Sequence, residues 1–114
     1  MEEITTLEQL EARLASSDAA PLLLFKHSTR CPISADAYAR VERFLSAQTA
    51  PAPPVFLVKV IESRPVSNAI ADRLDVPHKS PQILLVKDGR AVWTASHHGI
   101  QPDRIQEAIA EHLT

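Results

Sequence analysis

The chain has one cysteine, Cys31, and two glycines, Gly89 and Gly99, among its 114 residues. One cysteine cannot form an internal disulfide, so a secreted disulfide scaffold is excluded and the thiol is expected in a reducing compartment. Two isolated glycines cannot build a phosphate-cradling loop or a dinucleotide fingerprint. Whatever chemistry the chain performs therefore has to come from other residue types or from the lone thiol.

Positive charge and long apolar runs are also scarce. The formal net charge of −2 argues against nucleic acid as the main ligand. No apolar stretch approaches the ~20 residues needed to cross a bilayer. The start, Met1-Glu2-Glu3, is acidic where a signal peptide would be basic. We therefore expect a cytoplasmic protein with no nucleic-acid or membrane partner, folded as a single domain over residues 1–114.

The five histidines show no metal-ligand spacing, and we predict no metal site. His97 and His98 are adjacent, and in a strand they would point to opposite faces. The hydrolytic alternative, Cys31 with His27 as nucleophile and base, has no visible third group to orient the base.

Hydrophobic periodicity predicts an N-terminal helix and two buried strands in the first half of the chain. A threonine at position 5 or 6 with Glu8 or Gln9 matches a capping box. The apolar face of this first helix is then Leu7, Leu10 and Leu14. Residues 22–26 predict a buried strand, and residues 55–61 a strand in the sheet centre. The prolines of residues 49–54 predict the loop before it.

Three further helices are predicted to begin at prolines, which are acceptable first helical residues because their missing N–H would be unpaired there. The helix from Pro32 carries an inward stripe: Ile33, Ala37, Val41, Phe44 and Leu45. Its opposite face carries Asp36, Arg40 and Arg43. The other two helices begin at Pro65 and Pro102. Between them, residues 83–86 and 91–95 predict an antiparallel hairpin turning at Asp88-Gly89, and Gly99 ends the hairpin.

The predicted order is an N-terminal helix followed by βαβαββα, with parallel strands joined by right-handed crossovers and a final hairpin. This is the thioredoxin-like order: an α/β fold, here a three-layer α/β/α sandwich with a mixed four-stranded sheet. Ligands of open α/β sheets approach the carboxyl ends of the parallel strands, and the turn from Lys26 to Pro32 places Cys31 there.

Cys31 in Cys31-Pro32-Ile33-Ser34 is the candidate nucleophile, because a thiol in the first turn of a helix receives the partial positive charge of unpaired N–H groups, which favours the thiolate. Position 34 is serine, so no second thiol can resolve a mixed disulfide internally. The pattern predicts a monothiol transfer cycle, with Ser34 supporting the thiolate through its hydroxyl or its backbone N–H.

Basic and titratable side chains surround the predicted site in sequence. Lys26, His27 and Arg30 precede the cysteine, and His78 and Lys79 precede a proline, Pro81, expected to lie opposite. If all five converge, they favour the thiolate and suit a ligand bearing carboxylates. Tyr38 and Trp93 are expected to pack in the core.

The segment Phe25-Lys26-His27-Ser28-Thr29-Arg30-Cys31-Pro32-Ile33-Ser34 resembles the signature of the monothiol bacilliredoxins of the YtxJ type, redox proteins of the bacillithiol system. Ser80-Pro81-Gln82-Ile83 is similar to the cis-proline segment of thioredoxin-like proteins, and Lys87-Asp88-Gly89-Arg90 to their hairpin. The resemblance implies that Cys31 carries a mixed disulfide with bacillithiol, that Pro32 belongs to the catalytic motif, and that Pro81 is cis and shapes the substrate groove. A cis-Pro81 exposes the Ser80 backbone to an extended substrate.

The resemblance further implies bacillithiol as co-substrate, bacillithiolated client proteins as partners, and no tightly bound cofactor. We expect a monomer or weak homodimer. Arg30, Lys26, His27, Ser80, Pro81 and Lys79 are the predicted substrate-binding residues. Two alternatives stay open. One is an iron–sulfur cluster carrier of the monothiol glutaredoxin kind, although that family normally has glycine where this chain has Pro32. The other is a non-catalytic interaction domain with an incidental thiol.

Overall fold

The helices and strands follow the predicted order, with one strand added at the start of the chain. A computed structural model describes residues 1–48 and 52–113. The strands are β1 (Glu2–Glu3), β2 (Leu22–His27), β3 (Val55–Lys59), β4 (Gln82–Lys87) and β5 (Arg90–Ser96). The helices are α1 (Leu7–Ser16), α2 (Pro32–Ala47), α3 (Arg64–Leu74) and α4 (Pro102–His112), with a short 3₁₀ helix at His97–Gly99. The predicted proline loop at 49–54 lies partly outside the described residues.

The sheet has five strands in the order β1-β3-β2-β4-β5. β2 and β3 are parallel, β4 is antiparallel to β2, and β5 is antiparallel to β4. The four-stranded expectation missed β1, a two-residue strand parallel to β3. It consists of two glutamates, so it has no apolar alternation that a sequence could display. The prediction that 55–61 forms the sheet centre was also wrong, since β2 holds that place.

Each face of the sheet packs against two helices. Alternate residues of β2 point to opposite sides, so Leu22 and Leu24 join the core under α1 and α3, whereas Leu23 and Phe25 join the core under α2 and α4. All four side chains are buried, and each contributes on the order of 1.5–3 kcal/mol of apolar burial. The result is the predicted three-layer α/β/α sandwich.

Two local sequence signals, the cap of α1 and the turn between β4 and β5, are present in the structure. Thr6 and Gln9 form a reciprocal capping box at the start of α1. Asp88 and Gly89 both have positive φ, 52° and 72°, as the tight β4–β5 hairpin requires. Within the described ranges, no helix is long and apolar enough to cross a membrane.

Three side chains depart from their expected faces, and one pair of histidines lies in a different element from the one considered. Leu7 and Ile33, both in the first turn of their helices, are 48% and 42% exposed. Arg40 is only half-exposed, because its guanidinium donates to the Ile100 carbonyl at 2.6 Å and to the His97 carbonyl at 3.0 Å. His97 belongs to the 3₁₀ helix with His98, so the expectation that the pair alternates along a strand was wrong.

Candidate active site

Cys31 lies where β2 passes into α2. It is the N-cap residue of α2 with extended backbone, and Pro32 follows in the first turn. Its backbone N–H donates to the Ser28 carbonyl at 3.4 Å, and its carbonyl accepts from the Ala35 N–H at 3.0 Å. The side chain is a free thiol, partly exposed. The unpaired N–H groups of the first helical turn therefore lie at the same end of α2 as Cys31.

Ser34 is buried one turn further along α2, and its hydroxyl is committed to the loop before Cys31. The Ser34 Oγ accepts from the Ser28 N–H at 2.9 Å and lies 2.8 Å from His27 Nδ1. Among the described residues, the Ser34 hydroxyl makes no hydrogen bond to the Cys31 sulfur. The hydroxyl thus holds residues 27–34 together, and of the two predicted donors only the backbone N–H is left for the thiolate.

His27 is half-buried between aromatic rings. Its ring centroid lies 5.0 Å from that of Tyr38 and 5.8 Å from that of Phe25. Burial lowers the pKa of His27, while the hydrogen bond with Ser34 and the negative charge of Glu62 act in the opposite direction. His27 is therefore neutral at pH 7, and its neutral ring shares a hydrogen bond with the Ser34 hydroxyl. Tyr38 packs here, as expected.

Lys26 does not belong to this site, and its predicted substrate-binding place is corrected. Because successive strand residues point to opposite faces, Lys26 enters the core on the α3 side. It is 0% exposed, and its Nζ donates to the Ser67 carbonyl at 3.2 Å. Burial lowers the pKa of Lys26 to about 8. His78 belongs to the same side: burial lowers its pKa, helped by the positive charges of Lys26 and Arg64. The five basic groups therefore do not converge at Cys31.

The loop before β4 brings Pro81 to the same edge of the sheet. The Ser80–Pro81 peptide bond is cis, which confirms that prediction. Pro81 is buried, and its carbonyl accepts from the His97 N–H at 3.1 Å. Gln82 pairs with Lys26 in the antiparallel β2–β4 register, so Pro81 lies opposite His27, the last residue of β2, where the cysteine loop begins. Lys79 is exposed and Ser80 half-exposed on this loop.

Glu62 is a residue of the site that sequence reasoning missed. It follows β3, and its carboxylate accepts from the Thr29 hydroxyl at 2.8 Å, two residues before Cys31. This hydrogen bond is the largest cause of the lowered pKa of Glu62. A hydrogen bond with its own backbone N–H and the positive charges of Lys59 and Arg30 also lower this pKa, by smaller amounts. The available signal was topological: parallel neighbouring strands end at the same edge, so the residues after β2 and β3 meet.

Similarity to solved structures defines the class of this protein. A candidate oxidoreductase with a thioredoxin fold is 28% identical, with 94% of this chain and 91% of that chain covered and a TM-score of 0.82. The Fasciola hepatica thioredoxin is 20% identical, with 98% and 99% covered and a TM-score of 0.74. Mitochondrial thioredoxin 3 of Saccharomyces cerevisiae is 20% identical, with 97% and 94% covered and a TM-score of 0.71. Fold and reactive-cysteine position together define a thioredoxin-fold thiol redox protein.

The family is narrower than the class. The family model for monothiol bacilliredoxin BrxC matches residues 2–105. The chain belongs to the monothiol bacilliredoxin family, and its single cysteine agrees with a monothiol redox function.

Proposed function

We propose that this protein removes bacillithiol from mixed disulfides on client proteins, with Cys31 as the nucleophile. The observation that carries the proposal is a partly exposed free thiol at the N-terminus of α2 with serine at the position of a second thiol. Membership in the monothiol bacilliredoxin family supports the choice of small thiol.

The reaction needs two exchanges. In the first, the Cys31 thiolate attacks the bacillithiol sulfur of the protein mixed disulfide, a new Cys31–bacillithiol disulfide forms, and the client leaves as a thiolate that takes a proton from solvent. In the second, a bacillithiol thiolate attacks that adduct, releasing bacillithiol disulfide and the Cys31 thiolate. Electrons balance, because the client cysteine is reduced to a thiol and the incoming bacillithiol is oxidised, while the bacillithiol taken from the client stays at the disulfide level. Ser34 cannot resolve the Cys31–bacillithiol disulfide internally, because a hydroxyl does not displace a thiol from a disulfide.

The residues proposed for binding are those at the edge around Cys31. Arg30 is exposed next to the thiol, and Lys79 is exposed on the proline loop. Both suit the carboxylates of the small thiol. The backbone at Ser80 and cis-Pro81 is proposed to pair with the extended client chain. Bacillithiol then acts as co-substrate rather than as a bound cofactor, and the cytoplasm, as a reducing compartment, suits the cycle.

Intact-mass measurement tests the proposal. The reduced protein is incubated with bacillithiol disulfide and, separately, with glutathione disulfide. We expect one bacillithiol adduct on Cys31 and a much slower glutathione adduct. Cys31→Ser should give neither adduct and lose release of bacillithiol from a mixed-disulfide client by at least a hundredfold, with the fold retained because this side chain packs little. Release that persists in Cys31→Ser contradicts the proposal, and a coloured protein after anaerobic purification supports the cluster-carrier alternative instead.

A further inference from the structure

Glu62 holds a carboxylate beside the loop that carries the reactive thiol. Its Oε2 accepts from Thr29 Oγ1 at 2.8 Å. Thr29 precedes Cys31 by two residues, and Cα atoms 3.8 Å apart along the chain place the two residues within about 8 Å. The Cys31 N–H also turns back to the Ser28 carbonyl, which keeps residues 28–31 compact. The carboxylate is therefore bound to the same short loop as the thiol, at a residue two positions before Cys31.

The charge of Glu62 is not cancelled by a direct ion pair within the part of the chain that the structure describes. Lys59, the nearest candidate along β3, instead pairs with Glu3 at 3.5 Å. Arg30 acts on Glu62 through its charge, without a direct bridge among the described residues. The side chain is exposed, so a ligand can reach it. The mouth of the site thus presents an accessible carboxylate together with the Arg30 guanidinium.

We propose that Glu62 is a specificity-determining residue that selects small thiols carrying an ammonium group two carbons from the sulfur. This inference rests on the proposed function of Cys31. In the mixed disulfide such an ammonium lies within a few bonds of the Cys31 sulfur, where the carboxylate can accept a charge-assisted hydrogen bond from it. A thiol whose cysteine nitrogen is acylated, as in glutathione, has no ammonium at that place.

The proposed preference for an ammonium group is measured with two small disulfide substrates of matched size. Cystamine and bis(2-hydroxyethyl) disulfide differ only in an ammonium replacing a hydroxyl. In both reactions the Cys31 thiolate forms a disulfide with one half of the reagent, the reagent's own S–S bond breaks, and the other half leaves as a thiolate that solvent protonates. The second-order rate constants are measured by stopped-flow at pH 7 and low salt. The ratio of the two constants cancels any general change in the reactivity of the thiolate.

Glu62→Gln is expected to lower the cystamine-to-hydroxyethyl ratio about two- to fivefold, the size typical of an exposed charge pair. Thr29→Val keeps the charge but releases it from the loop, so a smaller decrease in the same direction is expected. Asp88→Asn is the matched control, because it removes one negative charge in the hairpin at the opposite end of the sheet and asparagine tolerates the positive φ there. It should leave the ratio unchanged.

The possible outcomes separate the two proposals. Equal ratios in the wild type, Glu62→Gln and Thr29→Val overturn the role of Glu62 and leave the proposed function standing. A decrease that Asp88→Asn reproduces also overturns it, because net charge then explains the effect. If Glu62→Gln does not fold, Thr29→Val decides in the same way. A Cys31 that reacts with neither reagent overturns the proposed function itself.

Discussion

Lys26 and His27, two neighbouring residues at the end of β2, point to opposite faces of the sheet. His27 faces α2, where its ring meets Ser34 and Tyr38 beside the cysteine loop. Lys26 faces α3, where its ammonium is fully buried with one carbonyl partner. Both are polar residues that precede Cys31 by no more than five positions, and both have a lowered pKa because of burial. Only one of them belongs to the site.

The difference shows that one strand end supplies two separate environments. On the α2 side, polar groups are paired with one another and hold the loop that presents the thiol. On the α3 side, some buried polar atoms among the described residues have no hydrogen-bond partner. These include Ser67 Oγ and Gln82 Oε1. Gln82 is the cross-strand neighbour of Lys26. The paired polar groups of the α2 side hold the loop that presents the thiol, whereas the buried charge and unpaired polar atoms of the α3 side lower the stability of the fold. Three substitutions test this contrast.

The largest expected effect is on the α3 side, in Lys26→Met. The folded protein releases the Lys26 proton near pH 8, whereas the unfolded chain holds it to about 10.5. Between these values the unfolded state binds more protons, so the free energy of unfolding of the wild type rises with pH, by up to about 3 kcal/mol. Lys26→Met should lack this rise. Urea denaturation at pH 7.5 to 10.5 measures the difference between the two proteins.

Two further readouts accompany Lys26→Met. Removing the positive charge should raise the pKa of His78, which NMR titration of the imidazole follows. Exchange by Cys31 should stay within twofold of the wild type, because Lys26 lies on the other face. Lys87→Met, at the opposite end of the sheet, is the control and should keep the rise in stability. A loss of exchange in Lys26→Met without loss of fold would contradict the separation of the two environments.

A smaller effect is expected on the α2 side, in Ser34→Ala. The substitution leaves the Ser28 N–H and His27 Nδ1 without their shared partner, and should lower the free energy of unfolding by about 1–2 kcal/mol. Exchange should slow as well, because the cysteine loop loses its tie to α2. Ser46→Ala, an exposed position on the same helix, is the control and should change neither quantity. Wild-type stability and rate in Ser34→Ala would show that these hydrogen bonds do not hold the loop.

The smallest effect is the pH dependence contributed by His27. Burial lowers its pKa below the 6.5 of the unfolded chain. Above pH 6.5 both states are neutral and the stability is fully present, whereas below it the unfolded state takes up the proton first and the free energy of unfolding falls. His27→Gln should flatten part of this fall between pH 7 and 5 in denaturation curves. His98→Gln, an exposed histidine, should keep the wild-type slope, and an unchanged slope in His27→Gln would contradict the prediction.

The predictability of the site differs from residue to residue. Cys31 at a helix start, Pro32 in its first turn and the turn at Asp88 and Gly89 could be predicted because neighbouring residues decide them. Cis-Pro81 was predicted only through a family resemblance. Glu62 was missed, since it approaches Thr29 from 33 positions away in the chain and charge patterning carries no sign of that contact. Lys26 was misplaced because nearness along a strand was read as nearness in space.

The sequence by itself determined the succession of helices and strands, the thioredoxin-like class and the identity of the one possible nucleophile, because periodicity, caps and turn residues act over a few positions and a single cysteine leaves no choice. Only the tertiary structure decided which polar residues meet that nucleophile. The strand pleat sends Lys26 to one core and His27 to the other, and the parallel pairing of β2 with β3 brings Glu62 to the thiol loop. Those contacts arise from pairing between distant segments, which no local pattern contains.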